Sequence, residues 1–293
     1  MICLFRTFAV LFGLIPAAQA DELRYFGYAG VVCDLDDPWD DTDKIDYSDE
    51  VAGFTNANQV CVTGDMKALE ERLRNAARQF TPVFYLEPVF FAQQGDRLAP
   101  NPQARDWWQR VRRAIVASGV SPDDMVFYLV DEPEFRGLPL SDVSTAAGMV
   151  RESYPAARIM MIAAYRKGQV AIPPEVDLWG FDAYAVPDPA AEPLYMAHLE
   201  KAAAQLRHHQ RLVLVLDANH TPYHRANGLA EKDMAAVARA YFALAQSRDD
   251  VEMLLGYTWA GGIDNDSEKG VRDLPPPVID AHRKIGRAIV GDG

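Results

Sequence analysis

Eight short runs rich in apolar and aromatic residues recur at fairly even spacing, at residues 25–32, 59–63, 82–91, 125–130, 158–164, 176–184, 212–216 and 253–259. Runs of this length, apolar on both faces, read as strands buried on both sides. Between most of them the apolar positions switch to helical period. Met66, Leu69, Leu73, Ala76 and Phe80 make one stripe, and Trp108, Val111 and Ile115 a second. Leu194, Leu199, Ala202 and Leu206 make a third; Leu229, Met234, Val237, Tyr241 and Leu244 make a fourth. A last stripe of Val278, His282, Ile285 and Ile289 follows the prolines Pro275 to Pro277, a favourable helix start. Asp65 and Ser141 stand where helix N-caps are needed. One interval breaks the alternation: residues 167–175 contain Pro173-Pro174 and are too short for a crossover helix.

Strands alternating with helices specify a parallel sheet, and eight strands are the number that closes it into a single (β/α)8 TIM barrel, of α/β class. An open doubly wound sheet would want a glycine-rich phosphate turn after its first strand. The chain instead has Gly30-Val31-Val32-Cys33-Asp34. The barrel is expected to occupy residues 21–293 as one domain.

Residues 1–20 carry Arg6, an apolar stretch over 8–15 and the small-residue site Ala18-Gln19-Ala20, the order of a secretory signal peptide. The mature chain would begin at Asp21 and be secreted or periplasmic. No later segment approaches the ~20 apolar residues of a membrane span. Cys3 leaves with the leader, so Cys33 and Cys61 remain as an even pair in an oxidising compartment, a candidate disulfide with two buried thiols as the alternative.

The formal charge is −13, and losing Arg6 makes it one unit more negative. Such a field repels phosphate backbones and argues against a nucleic-acid partner. Acid is concentrated over residues 34–50, where eight aspartates and one glutamate surround Trp39. An EF-hand would need glycine where Trp39 stands and glutamate where Ile45 stands, so this stretch reads as a solvated loop. Trp39 either packs beneath that loop or offers a flat face to a sugar ring.

A (β/α)8 barrel carries its chemistry at the C-terminal ends of the strands. There the sequence puts Glu87, near which the third strand is expected to end, Asp131 and Glu132 after the fourth run, and Asp182 and Tyr184 at the end of the sixth. Asp217, Asn219 and His220 follow the seventh, and Trp259 closes the eighth. Asp131-Glu132-Pro133 is the most informative of these. Two adjacent carboxylates at the rim of a core are costly there, unless they merely cap the following helix or sit in solvent. Glu132 is the leading candidate for a catalytic acid.

With these residues the chain resembles the clan of retaining (β/α)8 glycoside hydrolases whose acid/base is the glutamate of an Asn-Glu-Pro motif ending strand four. Glu132 with Pro133 matches that acid/base, Tyr184 the clan's tyrosine after strand six, and Trp259 the tryptophan that floors its sugar site. Asp131 stands where the clan has asparagine, and Asp217 where it has a nucleophilic glutamate. An Asp-Glu pair ending strand four also looks like the substrate-assisted hexosaminidases, whose aspartate orients the sugar's acetamido group while the glutamate is the general acid.

The resemblance implies glycoside hydrolysis of an oligo- or polysaccharide, with Glu132 as general acid and Asp217 as the second carboxylate. Asp131 is the third catalytic candidate, the partner of Glu132 in the substrate-assisted reading, and Asp182, Glu87, Asn219 and His220 would be substrate-binding groups. Retaining enzymes hold their carboxylates ~5–5.5 Å apart and inverting ones ~6.5–9.5 Å, so the shorter Asp217 favours inversion. Asp217 in place of glutamate also admits a carbohydrate-binding barrel that has lost catalysis. His220 and His224 have i,i+4 spacing, but Thr221-Pro222 suggests an irregular loop, so a substrate hydrogen bond is expected of His220 rather than a metal. No Gly-x-Ser-x-Gly elbow or Cys-x-x-Cys is present, and no metal or cofactor is expected.

Overall fold

The structure is a computed structural model that describes residues 23–165 and 170–291. The expected leader lies outside the described residues. Eight parallel strands form at the eight runs: β1 (Tyr25–Tyr28), β2 (Ala57–Cys61), β3 (Thr81–Tyr85), β4 (Val126–Asp131), β5 (Arg158–Ala164), β6 (Leu178–Asp182), β7 (Arg211–Asp217) and β8 (Val251–Tyr257). Their hydrogen-bonded order is β1-β8-β7-β6-β5-β4-β3-β2. Six long helices pack outside: α1 (Met66–Ala76), α2 (Ala104–Ser118), α3 (Leu140–Ser153), α4 (Pro193–Ala203), α5 (Met234–Gln246) and α6 (Pro276–Val290). The chain therefore folds as a single (β/α)8 barrel.

Alternation along the strands builds two cores. On β4, Phe127 and Leu129 face the helices, whereas Val126 and Tyr128 face the barrel interior. The interior is filled by Val83, Val126, Met160, Leu178, Val213 and Met253, with Tyr128, Ile162, Val215 and Leu255 one layer nearer the mouth. Across the opposite end, Arg158 clamps Glu252 with two bonds of 2.5 and 2.6 Å.

The ring closes between β1 and β2 without a regular ladder. Side-chain amides substitute for it: Asn56 Oδ1 accepts from Phe26 N at 2.9 Å, Asn58 Oδ1 from Tyr28 N at 3.0 Å and Gln59 Oε1 from Gly30 N at 2.6 Å. Gly27 permits this approach, because a Cβ there would lie 1.5 Å from the Ala57 carbonyl oxygen. A Cys33–Cys61 disulfide ties the mouth end of the same seam.

Three local expectations change. The third run is a strand only to Tyr85, and Glu87–Phe90 is a short helix. Pro88 lacks the N–H a ladder needs and suits a first helical turn. Ser141 lies inside the first turn of α3, whereas Asp65 does cap α1, accepting from Lys67 N and Ala68 N. The acidic stretch is not simply solvated: Arg272 reaches Asp37, Asp40 and Glu50 at 3.1, 2.5 and 3.1 Å. Between β5 and β6 residues 170–177 form no helix, and the Gln210 side chain holds them by donating to the Pro173 and Val176 carbonyls.

Candidate active site

A cleft of about 430 Å³ opens at the C-terminal ends of the strands. Its floor is Ile162, Val215 and Leu255, with Tyr85, Tyr128 and Tyr257 rising from β3, β4 and β8. Its rim carries five carboxylates, Glu87, Asp131, Glu132, Asp182 and Asp264, while Arg136 is the one cation among the described lining residues. The Cys33–Cys61 disulfide forms part of one wall.

Strand β4 delivers the acids by an abrupt turn. Pairing with β5 shifts register between Tyr128 and Val130, and Glu132 then adopts a left-handed backbone with φ +45°. Such a conformation is uncommon for a non-glycine residue and costs on the order of 1 kcal/mol. Two backbone bonds hold it: Glu132 N donates to Ile162 O at 2.9 Å, and its carbonyl accepts from Arg136 N at 3.1 Å.

Each acid has a different environment. Tyr128 Oη donates to Asp131 Oδ1 at 2.6 Å, and Asp131 N donates to Glu87 Oε2 at 3.2 Å. Burial nevertheless pushes Asp131 up to about 7, with the Glu132 and Glu87 charges adding to the rise. Asp182 rises further, to about 9, first through burial and then through the charges of Glu132 and Asp131 and a hydrogen bond with Glu132. Asp182 Oδ1 is buried with no hydrogen-bond partner among the described residues. Glu87 forms an ion pair with Arg136, 2.7 Å away.

A second hollow of about 470 Å³ lies on the other side of these acids and shares Glu132, Asp182 and Tyr184 with the cleft. Its remaining wall is largely apolar, including Phe135, Tyr165, Val186, Pro187, Leu194 and Tyr223. Glu132 and Asp182 thus stand between a polar cleft and an apolar hollow.

The structure gathers Glu87, Asp131, Glu132, Asp182 and Tyr184 at the cleft and leaves the other singled-out residues away from it. Asp217 has no exposed surface; its oxygens lie 3.0 Å from His224 Nε2, and Oδ2 also accepts from Ala185 N at 2.8 Å. Burial raises its pKa, against the bonds from His224 and Ala185. Thr221-Pro222 opens a short helix, Pro222–Ala226, rather than an irregular loop, and Thr221 N donates to His224 Nδ1. His220 is buried against the Leu229 carbonyl, and Asn219 is buried and donates to Glu268.

Trp259 packs against Tyr28 and Phe54 and donates to Glu50 at 2.7 Å, so it is not in the cleft lining. Trp39 is half exposed, donates to the Glu268 carbonyl and has Lys269 Nζ 4.7 Å from its ring centre. Tyr257 faces the cleft instead, 5.7 Å from Tyr184 between ring centres. Period-two counting from Met253 through Leu255 would have found Tyr257, as counting from Val126 finds Tyr128. Arg136, Gln59 and Asp264 lie on the connections or at the seam and gave no comparable signal. Among the described residues no group of three or more His, Cys, Asp or Glu is arranged to hold a metal ion, and no helix is long and apolar enough to cross a membrane.

No family model and no curated relative matches this sequence. Similarity appears at the level of solved structures. A glycoside hydrolase family 17 β-1,3-glucanosyltransferase from Rhizomucor miehei superimposes with TM-score 0.58 at 11% identity, over 86% of this chain and 96% of that one. A thermostable mutant of a xylanase from Cellvibrio japonicus gives 0.54 at 10% identity, over 90% and 98%. A GH2 β-galacturonidase from Eisenbergiella tayi gives 0.60 at 10% identity, over 93% of this chain and 52% of that one. At such identities the likeness concerns the fold: this chain carries a (β/α)8 barrel similar to those of glycoside hydrolases.

Proposed function

We propose that the protein is an exported glycoside hydrolase in which Glu132 is the general acid. The observation that carries this reading is the position of Glu132 on the shared wall of two hollows, hydrogen-bonded to a carboxyl that holds its proton to about pH 9. A glycosidic oxygen lies between two groups that must each be seated, and its protonator must stand at their junction. Asp182 supports Glu132 in that role by sharing a proton with it. Asp131 in its ionised form, and the carboxylate that Glu132 becomes as it gives up its proton, favour the positive charge that develops at the anomeric carbon as the bond breaks.

Asp217 is poorly suited to attack that carbon, since both its oxygens are engaged within the protein. This favours the substrate-assisted alternative. There the sugar's own 2-acetamido oxygen attacks from the opposite face, and Asp131 accepts the acetamido N–H. Tyr128 holds Asp131 in place for this, and ionised Asp131 would stabilise the cationic ring that forms.

Release of reducing ends from a panel of glycans, with and without 2-acetamido groups, tests the proposal. Cleavage confined to 2-acetamido sugars supports the Asp131 mechanism; cleavage of sugars lacking that group rejects it. Glycan binding without any turnover would favour a non-catalytic barrel.

A further inference from the structure

Among the described residues seven large hydrophobic side chains are exposed, and three of them, Phe135, Leu194 and Tyr223, gather in the second hollow, two of them 58% and one 59% exposed. They come from three separate segments: the loop after β4, the first turn of α4 after β6, and the short helix after β7. We infer that this hollow seats the leaving group of the reaction and is built for one with a flat apolar face, such as an aromatic aglycone. This rests on Glu132 being the acid.

The two sides of Glu132 differ in chemistry. The cleft presents carboxylates, Arg136, Gln59 and tyrosine hydroxyls, which match the hydroxyls of a sugar. Apart from Glu132 and Asp182, Glu192 is the one charged group among the described residues that line the hollow. A leaving group there would cover apolar surface that water otherwise contacts. In the reaction the C–O bond breaks as Glu132 passes its proton to the departing oxygen. Water then supplies the sugar's new hydroxyl and returns a proton to Glu132.

The walls of the hollow are set by Asp217. Its Oδ2 accepts from the N–H of Ala185, whose left-handed backbone (φ +57°) begins the Ala185-Val186-Pro187 lip. Its oxygens also engage His224 Nε2, and His224 Nδ1 accepts from Thr221 N in the capping box of the helix that carries Tyr223. Because Nδ1 accepts a backbone N–H, Nε2 carries the hydrogen that points at Asp217. One buried carboxylate thus joins two walls of the hollow. Asp217 is a positioning residue, in the strand position where the resembling clan keeps its nucleophile.

Two measurements test this. The first is binding of 4-methylumbelliferone to the intact protein, read by fluorescence, in wild type and Leu194→Asp. The inference expects saturable binding weakened about tenfold or more by the introduced charge; absence of wild-type binding, or equal binding by the variant, would overturn it. This readout needs no turnover, so it stands even if hydrolysis is never found. The second compares phenyl and methyl glycosides of whichever sugar is cleaved. Leu194→Asp should lower the phenyl-to-methyl ratio of kcat/KM about tenfold, and Asp217→Asn should raise KM for the phenyl glycoside more than it lowers kcat. A collapse of kcat on both substrates in Asp217→Asn, with the fold intact by circular dichroism, would instead make it the nucleophile.

Discussion

Asp182, which ends β6, and Glu132, which follows β4, are joined carboxyl to carboxyl past the intervening β5, with Asp182 holding its proton to about pH 9. The pair therefore carries a proton across the neutral range. The pH–rate profile should lose activity on its alkaline side as that proton leaves. Asp182→Asn takes away the second negative charge that would appear when the pair loses its shared proton, so that proton should leave more easily and the alkaline limb should move to lower pH. An unchanged limb would mean that Asp182 does not control the acid.

The same groups fix a trend in stability. Asp131 and Asp182 have folded values of about 7 and about 9, above the ordinary carboxylate value, so the folded state binds more protons than the unfolded state between roughly pH 4 and 9. Their contribution is greatest below that window and is lost as pH rises through it. Asp182→Asn cannot ionise, and its urea midpoint should fall less between pH 5 and pH 8 than that of the wild type. A steeper fall in the variant would contradict the burial of Asp182 as the cause.

The seam between β1 and β2 depends on three side-chain amides and the Cys33–Cys61 bond, which spans 28 residues. Cross-linking a loop of that length is worth roughly 3–4 kcal/mol in the chain-entropy view. Cys33→Ser with Cys61→Ser should lose about that much in urea denaturation. Because the bond also lines the cleft, the double variant should lose activity before it unfolds globally. Two alkylatable thiols in the unreduced protein would contradict the bond itself.

The barrel was legible because eight apolar runs and their helical intervals are local signals that burial on both faces imposes. The fourth strand and its Asp131-Glu132 end were legible for the same reason. Trp259 closes the eighth apolar run, but the end of a run is not an inward position: by alternation Tyr257 faces in and Trp259 lies beyond the strand. Asp217 misled for a different reason. Its fate is decided by His224 and the Ala185 amide, a long-range arrangement that strand periodicity does not encode. The apolar hollow could not be read, since Phe135, Leu194 and Tyr223 come from three segments far apart in sequence, and the helical stripe that begins at Leu194 reads as core although Leu194 itself is exposed.

The most direct test is the turnover of Glu132→Gln on a poorly activated glycoside that the wild type cleaves. The amide preserves size and polarity but cannot donate a proton to a leaving alkoxide, so kcat should fall ~10²-fold or more, with much less loss on substrates whose leaving group needs no proton. Near-wild-type turnover of the poorly activated substrate by Glu132→Gln would contradict the assignment of Glu132 as the acid.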